Sequence, residues 1–368
     1  MDRVPLILDV DTGIDDSLAL LYAAASPEAE LVAVTCLPGN AALGDVARNT
    51  RAVLELAGRG DVEVAAGGHA PLRRALEVTP ETHGPRGIGY AELPEPTRPL
   101  SPRPAAQLVV DEARRRPGEI TLVTLGPMST LARALELEPD LPRLLHRWVS
   151  MGGAFRVPGN TTPVSEWNVH CDPDAAQTAF AAWQAAVVRE PSTRRALAVG
   201  LDATERARIG TDHVVALARR ARSTPDDSLD ATRPPGDAER RSVASNPVVR
   251  FVADALRFYF EFHARYDGFY GAFIHDPLVV AAALDPTLVT TEPVAVDVDV
   301  AGGLGDGQTI ADFRGLWGRR PNVDVALSAD ADAFLERLVE RVGALAERVA
   351  DPPLPVAPAG SSRDEVRE

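Results

Sequence analysis

The stretch LILDVDTGIDDSLALLYAA, residues 6–24, decides the expected fold. Its aliphatic start is typical of a strand buried on both faces of a parallel sheet, and the spacing that follows is typical of a helix packed on that sheet. Four carboxylates, Asp9, Asp11, Asp15 and Asp16, lie where the two meet. Because ligands of open α/β sheets bind at the carboxyl ends of strands, we expect the functional site there.

The first half of the chain repeats this alternation of strand and helix, which favours βαβ units. We therefore predict an α/β fold of Rossmann-like type, with a mostly parallel sheet flanked by helices. Strands, some with their following loop, are expected at 4–11, 29–40, 62–67, 119–127 and 146–154, and helices at 15–26, 41–58, 105–118 and 129–139.

The second half is less regular. The polar segment 221–247 is rich in Pro, Asp and Arg and has no apolar period, so we expect a mobile insertion there. We predict a single domain over 1–350 and a disordered tail over 351–368. Between the insertion and the tail we expect a helix at 248–266, short strands at 293–300, 308–314 and 322–330, and a closing helix at 331–350.

Charge and composition exclude several classes of function. The formal net charge of −15 would repel a polyanion, so we expect no nucleic-acid partner. All 38 basic residues are arginine, which excludes a lysine nucleophile, a Schiff base and a P-loop lysine. No apolar run could cross a bilayer and no secretory signal is visible, so we expect a cytoplasmic protein without a membrane partner. Cys36 and Cys171 are expected to be reduced.

The four carboxylates of residues 9–16 need a neutralising partner, because carboxylates this close repel one another. Alternation along the strand turns Asp9 and Asp11 to one side, and Gly13 lets the backbone bend before the helix. Converging carboxylate oxygens suit Ca²⁺ or Mg²⁺, which would also lower the pKa of a bound water. Helix capping with solvated surface charge is the alternative, and it explains one or two of these residues better than four.

The DVDTG segment at 9–13 also matches the start of haloacid-dehalogenase-type phosphatases, in which the first Asp is a nucleophile beside Mg²⁺. Those enzymes usually use a basic residue, most often lysine, to offset the aspartyl-phosphate charge. This chain has no lysine, and nothing downstream reads as their late acidic metal motif. A phosphatase is therefore the second hypothesis.

Further motifs follow in a fixed order along the chain. They are DVDTGIDD (9–16), VTCLPGN (34–40), ETHGPRGIG (81–89), LVTLGPMSTLA (122–132), MGGAFRVPGNTTPVSEWNVHCDPDAA (151–176) and HDPLVVAAALDP (275–286). In this order they resemble the inosine–uridine-type nucleoside hydrolases, from about residue 5 to about residue 345. The resemblance implies a nucleoside-hydrolase-type fold, Ca²⁺-dependent hydrolysis of small ribonucleosides to ribose and free base, and a homodimer or homotetramer.

The resemblance also implies a single Ca²⁺ site. Its ligands would be Asp11, Asp16, Asp276 and the backbone carbonyl of Leu125, with Asp9 supporting them from behind. Asp11 is implied as the general base for the attacking water. An aspartate followed by a proline, as at position 276, is also what a plain helix start looks like, and that explanation stays open.

The resemblance assigns a further set of polar groups to the ribose hydroxyls. Carboxylates and amide oxygens would stabilise the oxocarbenium-like sugar of the transition state. They would reject 2′-deoxyribose, because buried polar groups would then be left unpaired. Asparagine in GNTTP is also ordinary turn chemistry. The implied ribose ligands are Asp15, Asn40, Asn160, Glu166, Asn168 and the backbone at Met151.

The base end has weaker signals. The resemblance places His83, in a Gly-rich loop, near the nucleobase, and His275 where it could orient the ribose or leaving group. His263 stands i, i+4 to Asp267 where the family has Tyr, Gln or Arg, and it is a candidate acid for the departing base. A lone histidine on a helix is more often a surface or core residue. Trp167 replaces a typical Phe and either stacks on the base or only forms a pocket wall.

Purine against pyrimidine preference stays open at this stage. Two alternatives stand beside the phosphatase: a hydrolase of a related or modified-base riboside, and a non-catalytic nucleoside or ribose sensor. The complete set of metal carboxylates argues against the sensor.

Overall fold

The computed structural model describes residues 3–224, 229–232, 235–237 and 240–350. Its strands are β1 (Val4–Val10), β2 (Ala29–Cys36), β3 (Glu63–Ala66), β4 (Thr121–Thr124), β5 (Arg147–Met151), β6 (Ala196–Val199), β7 (Arg208–Ile209), β8 (Ala272–Phe273), β9 (Val289–Val294), β10 (Val296–Val298), β11 (Thr309–Ala311) and β12 (Val323–Ala329).

Helices connect and cover these strands. They are α1 (Ile14–Ala25), α2 (Leu43–Leu56), α3 (Pro80–His83), α4 (Ala105–Arg115), α5 (Ser129–Leu137), α6 (Leu141–Leu144), α7 (Trp167–Cys171), α8 (Pro173–Arg189), α9 (Leu201–Thr204), α10 (Thr211–Arg220), α11 (Pro247–Tyr266), α12 (His275–Leu284) and α13 (Ala331–Ala350). Among the described residues, no helix has both the length and the apolar character needed to span a bilayer.

The central sheet has the strand order β3-β2-β1-β4-β5-β6-β12-β9 in the described part of the chain. Neighbouring strands are parallel except for β9, which pairs antiparallel with β12 at one edge. In β1, Asp9 lies opposite Thr35 of β2 and Thr124 of β4, so the carboxyl ends of the three strands meet at one edge. The predicted mostly parallel α/β sheet is confirmed.

The core lies in two layers, one on each face of the sheet, as the alternation in β1 predicts. Leu6, Leu8 and Val10 face a layer built with α1, α2 and α10–α13. Ile7 faces the opposite layer, built with α4, α5 and α8. In that second layer the rings of Trp148 and Trp183 pack against each other, tilted by 51° and with centroids 4.6 Å apart. Helices on both faces explain why the central strands read as continuous apolar runs.

Two parts of the sheet differ from expectation. Strand β6, between β5 and β12, was not predicted, because four small apolar residues give no usable period. The expected strand 293–300 is divided between the edge strand β9 and β10, which pairs with β11 in a separate ribbon. Buried Asn322 holds the crossing point: its Oδ1 accepts from the amide of Val296 at 2.8 Å and its Nδ2 donates to the carbonyl of Phe180 at 3.0 Å.

The expected insertion 221–247 lies partly outside the described residues, and the tail 351–368 lies wholly outside them. Described parts of the insertion are held on α11 by Arg257, a fully buried side chain. One of its terminal nitrogens donates to the carbonyls of Asp237 and Arg240, at 3.0 and 2.8 Å. The predicted mobility of this segment and the predicted disorder of the tail stay predictions.

Candidate active site

A cavity of about 560 Å³ opens at the carboxyl edge of the sheet, where the sequence predicts a site. Most of the residues assigned from the sequence line it: Asp15, Asn40, His83, Leu125, Met151, Asn160, Glu166, Trp167, Asn168, His263, His275 and Asp276. Asp9, Asp11 and Asp16 do not line it and are almost fully buried.

The floor of the cavity is acidic. One carboxylate oxygen from each of Asp15, Asp16 and Asp276 lies within 4.8 Å of the others. Asp16 is held in place by the backbone amides of Gly13 and Asp11, which donate to it at 2.8 and 3.2 Å. Asp16 therefore also stabilises the start of α1, so helix capping and clustering both occur at this residue.

Asp11 lies beside this group of three, not within it. Its Oδ2 accepts from the backbone amide of Asn40 at 2.7 Å, and Asn40 Nδ2 donates to Asp16 at 3.1 Å. The other oxygen, Oδ1, is buried and has no hydrogen-bond partner in the described part of the chain. A buried unpaired carboxylate oxygen is costly unless something else satisfies it, so this atom is a candidate ligand or proton acceptor.

Gly13 serves a different purpose from the expected bend. Its φ of −91° is open to any residue. A Cβ at this position would instead lie 2.7 Å from both Asn40 Nδ2 and His83 Nδ1. Glycine is needed because two site residues approach the backbone closely here.

Burial makes the cluster hard to ionise. It raises the pKa of Asp15 to about 8 and the pKa values of Asp11 and Asp276 well above the usual range, with repulsion between the carboxylates adding to the shift. Behind them, burial raises the pKa of Asp9 to about 7, although Thr35 donates to its Oδ1 at 2.6 Å. Such a cluster is stable either when protonated or when a hard cation shares its charge.

Asn168 and Glu166, which also line the cavity, form hydrogen bonds with backbone carbonyls and amides. Asn168 Nδ2 donates to the carbonyl of Leu125 at 2.6 Å, which links the predicted ribose ligand to the predicted metal ligand. Glu166 caps α7 and accepts from the amides of Gly153 and Asn168 at 3.0 and 2.8 Å. Burial raises the pKa of Glu166, and these amides oppose that shift. Asn160 is more exposed and accepts from the amide of Trp167 at 2.9 Å.

Two of the predicted histidines, His83 and His275, are buried, hydrogen-bonded and uncharged at neutral pH. His83 Nδ1 accepts from the backbone amide of Ile14 at 3.1 Å, so the proton of this ring lies on Nε2. His275 Nδ1 lies 2.8 Å from the hydroxyl of Thr204. Burial lowers the pKa of both histidines to about 3. At neutral pH these two rings therefore act as uncharged hydrogen-bonding groups.

His263 is paired as its spacing predicts. Its Nδ1 lies 2.7 Å from Asp267, which caps the C-terminus of α11. Its Nε2 is buried and has no partner among the described residues. Burial lowers the pKa of His263, while the Asp267 carboxylate opposes that shift. The two residues form a dyad in which the carboxylate orients the ring and favours its protonated form.

Sequence reasoning missed several residues of the cavity wall. Tyr259, Phe262 and Tyr266 follow an i, i+3, i+7 spacing on α11 that could have indicated a shared face. Phe273 and Glu205 carry no such signal, because they reach the cavity only through the packing of β8 and the end of α9. Thr79, Glu81, Thr82, Thr161 and Asp267 also line it.

Comparisons with known proteins agree on one family. The model of the family described as "Inosine-uridine preferring nucleoside hydrolase" matches residues 6–336. The chain is 36% identical over 340 residues to the pyrimidine-specific ribonucleoside hydrolase RihA of Enterobacter sp. (strain 638), covering 92% of this chain and 97% of that relative.

Two solved structures are also similar. A purine-preferring ribonucleoside hydrolase from Gardnerella vaginalis superposes with a TM-score of 0.79 at 31% identity, covering 93% of this chain and 99% of the other. The plant nucleoside hydrolase PpNRh1 gives a TM-score of 0.79 at 29% identity, with the same coverage.

Proposed function

Because this chain belongs to the inosine-uridine preferring nucleoside hydrolase family, we propose that it hydrolyses ribonucleosides with one bound Ca²⁺. The chain is an N-glycosyl hydrolase of ribonucleosides, as its family and its relatives indicate. Our proposal adds the identity of the metal, the roles of individual residues, the oligomeric state and the cellular location. The group of three buried carboxylates on the cavity floor carries the proposal.

The donor set fits a hard cation. Asp15, Asp16 and Asp276 offer converging oxygens, and Asp11 Oδ1 is buried without a hydrogen-bond partner among the described residues. Leu125, whose carbonyl accepts from Asn168, lines the same cavity. Ca²⁺ favours oxygen ligands of this kind, several of them charged, whereas transition metals favour nitrogen and sulfur ligands. We propose Asp11, Asp16, Asp276 and the Leu125 carbonyl as the ligands.

When bound, the cation would neutralise the carboxylates and lower the pKa of a water molecule next to the sugar. Asp11 would hold that water and accept its proton as general base, because one of its oxygens has no hydrogen-bond partner among the described residues. Asn40 orients Asp11 by donating to its second oxygen. Asp9 is almost fully buried, so we expect it not to contact the substrate but to stabilise the end of β1.

Ribose would bind between the two sides of the floor. We propose that Asp15, Asn40, Asn160, Glu166, Asn168 and the backbone at Met151 bind its hydroxyls, since all of these line the cavity. Their carboxylates and amide oxygens would also stabilise the positive charge that develops on the sugar.

At the base end, His83 would hydrogen bond the base and His275 would orient the ribose or the leaving group, both as neutral rings. His263 would protonate a departing neutral base, which requires the imidazolium that Asp267 favours. Trp167 would form part of the wall against which the base packs. We further propose a homodimer or homotetramer in the cytoplasm, which light scattering of the purified protein would test.

One assay tests the function directly. Purified protein is incubated with a panel of ribonucleosides and the free ribose is measured, with and without a chelator and with Ca²⁺ added back. We expect ribose release that is lost with chelator and recovered with Ca²⁺. In Asp276→Ala, a higher Ca²⁺ concentration should be needed for half-maximal activity. Release that ignores the chelator would contradict the metal proposal.

The phosphatase hypothesis is less well supported. No arginine lines the cavity in the described part of the chain, so a phosphate monoester would meet several carboxylates there and no guanidinium. A trapped aspartyl-phosphate and phosphate release from phosphorylated substrates would favour it.

A further inference from the structure

Three histidines line the active-site cavity, and the partner of each Nδ1 atom decides which ring nitrogen carries the proton. A backbone amide can only donate, so the amide of Ile14, 3.1 Å from His83 Nδ1, leaves the ring proton of His83 on Nε2. An ionised carboxylate can only accept, so Asp267, 2.7 Å from His263 Nδ1, favours a proton on that atom. The partner of Nδ1 thus sets whether the other ring nitrogen of a neutral histidine donates or accepts.

His275 has a partner that fits either case. Its Nδ1 lies 2.8 Å from the hydroxyl of Thr204, the last residue of α9, and a hydroxyl both donates and accepts. Thr204 is fully buried, and its hydroxyl has no other hydrogen-bond partner among the described residues. If this hydroxyl accepted from His275, its own proton would be buried without an acceptor, which is costly. The hydroxyl of Thr204 therefore donates to His275.

This direction leaves the ring proton of His275 on Nε2. The bond to Thr204 is the only hydrogen bond that the ring forms within the part of the chain that the structure describes, and His275 lines the cavity. We infer that Thr204 is a positioning residue, which fixes His275 as a hydrogen-bond donor to the bound riboside through Nε2. The inference rests on the proposed function, because it concerns the same substrate and the same histidine.

Backbone hydrogen bonds hold both partners in place. The amide of Thr204 donates to the carbonyl of Gly200 at 3.0 Å, within the turn that forms α9. The amide of Ile274, the residue before His275, donates to the carbonyl of Ala207 at 2.9 Å. Because the backbone fixes the two side chains, a valine at position 204 would keep the shape of threonine and remove only the donated hydrogen.

A neutral Nε2–H suits an acceptor atom of the substrate. Ribonucleosides offer such atoms on the base, as carbonyl oxygens and unprotonated ring nitrogens, and on the ribose, as hydroxyl oxygens. When the C1′–N bond breaks, its electron pair passes to the base, so a hydrogen bond to the base strengthens in the transition state. A hydrogen bond to a ribose hydroxyl gains nothing in this way, so kinetics with two leaving groups distinguishes the two acceptors.

The first test observes the ring proton directly. Protein labelled with ¹⁵N-histidine would be studied by NMR with Ca²⁺ present, because protonated and unprotonated ring nitrogens have well-separated chemical shifts. The signals of His275 would be assigned by their loss in His275→Gln. In wild type we expect Nε2 of His275 to be protonated and Nδ1 to be an unprotonated acceptor. A proton on Nδ1 in wild type would overturn the inference.

Two variants of Thr204 extend this test. Thr204→Val should remove the hydrogen-bond shift of His275 Nδ1, and Thr204→Ser should keep it. The signals of His83 are an internal control and should be the same in both variants, because a backbone amide holds that ring. His275 signals that do not change in Thr204→Val would overturn the inference.

The second test asks whether the hydroxyl matters for turnover. Steady-state kinetics of uridine hydrolysis would be measured for wild type, Thr204→Val, Thr204→Ser and the control Thr121→Val. Thr121 is a buried threonine at the first position of β4, outside the cavity. We expect kcat to fall about tenfold in Thr204→Val, the contribution of about one hydrogen bond, and to stay within about threefold of wild type in Thr204→Ser. Thr121→Val should match wild type.

A second substrate locates the acceptor. If Nε2–H binds the base, Thr204→Val should slow p-nitrophenyl riboside less than uridine and leave the KM for uridine nearly unchanged. If it binds the ribose, both substrates should be slowed equally, and either result supports the inference. Wild-type kcat in Thr204→Val on both substrates would overturn it, as would Thr204→Ser that is as slow as Thr204→Val. If no riboside is hydrolysed, the proposed function fails, and the NMR test alone decides the inference.

Discussion

The floor of the cavity and its aromatic wall are built in opposite ways. The aromatic wall consists of Tyr259, Phe262, His263 and Tyr266 of α11 with Phe273 of β8. The floor uses residues in the segments that follow parallel strands: Asp11 directly after β1, Leu125 directly after β4 and Asn40 four residues after the end of β2. The aromatic wall uses α11 and β8, which the connectivity brings over the sheet from late in the chain. The sheet itself thus sets the position of the proposed sugar chemistry, while the proposed base contacts depend on how separate elements pack.

Proteins similar to this chain include one described as pyrimidine-specific and another described as purine-preferring. Different base preferences on one fold are what a variable wall above a constant floor would produce. Experiments that separate the two regions are therefore the most informative.

The largest effect is expected on the floor, in Asp11→Ala. Turnover of ribonucleosides should fall by about 10⁴-fold or more, because both the proposed base and a proposed metal ligand are removed. Steady-state kinetics with added Ca²⁺ measures it. Asp212→Ala, at a side chain that is 82% exposed on α10, is the control and should behave as wild type. A decrease in turnover of less than about tenfold would contradict the proposed role of Asp11 as general base.

A change of sugar should come next. Compared with uridine, 2′-deoxyuridine should lose about three orders of magnitude in kcat/KM, because polar groups built for the 2′-hydroxyl would be left unpaired. The ratio of kcat/KM values for a purine ribonucleoside and its 2′-deoxy form should be similar, because we expect the sugar to bind to the floor and not to the aromatic wall. Comparable rates on deoxyribosides would contradict the proposed ribose site.

The charge of the floor should appear in stability. Asp9 and Asp15 have pKa values of about 7 and about 8 in the folded protein, against about 4 when unfolded. Between those limits the folded state binds more protons than the unfolded state, so metal-free stability should fall as pH rises from about 4 to about 8. Bound Ca²⁺ should stabilise the folded state, by about 2.7 kcal/mol at 100 times its Kd, and this stabilisation should be greater at higher pH.

Thermal unfolding with chelator and with Ca²⁺, at several pH values, measures these shifts. Asp15→Asn is the informative variant, because it removes one of the buried charges and should flatten the pH dependence. Metal-free protein that becomes more stable over this range would show that the cluster is not the dominant buried charge.

The smallest effect is expected on the aromatic wall. His263→Ala should slow hydrolysis of ribonucleosides with poor leaving groups by one to two orders of magnitude, and slow p-nitrophenyl riboside little, because an activated leaving group needs no proton. Rates on both substrates, with the unfolding midpoint as a check on folding, measure it. Equal slowing of both would leave His263 a packing residue.

Much of the floor could be predicted from sequence because its residues stand at fixed offsets from buried strands. Asp9 and Asp11 end one apolar run, and the motif around Leu125 ends another, so their meeting follows from a parallel sheet. The sequence did not predict that Asp15, Asp16 and Asp276 form the tightest group, or that Asp11 lies beside it. Those distances depend on how α12 packs against α1.

The aromatic wall was less predictable for the same reason. The His263–Asp267 pair follows from helix spacing alone and forms as expected. Glu205 and Phe273 enter the cavity only because short elements far apart in sequence pack onto longer ones, α9 on α12 and β8 on α11.

The α/β class, the edge of the sheet that carries the site and the oxygen-rich character of its floor can all be predicted from the sequence, since they follow from local periodicity and from residues adjacent to strand ends. Three features required the folded structure: which carboxylates converge, which described side chains lack a partner, and where Glu205 and Asp267 lie relative to the aromatic wall. Those outcomes depend on side-chain packing between distant segments, which local patterns do not encode.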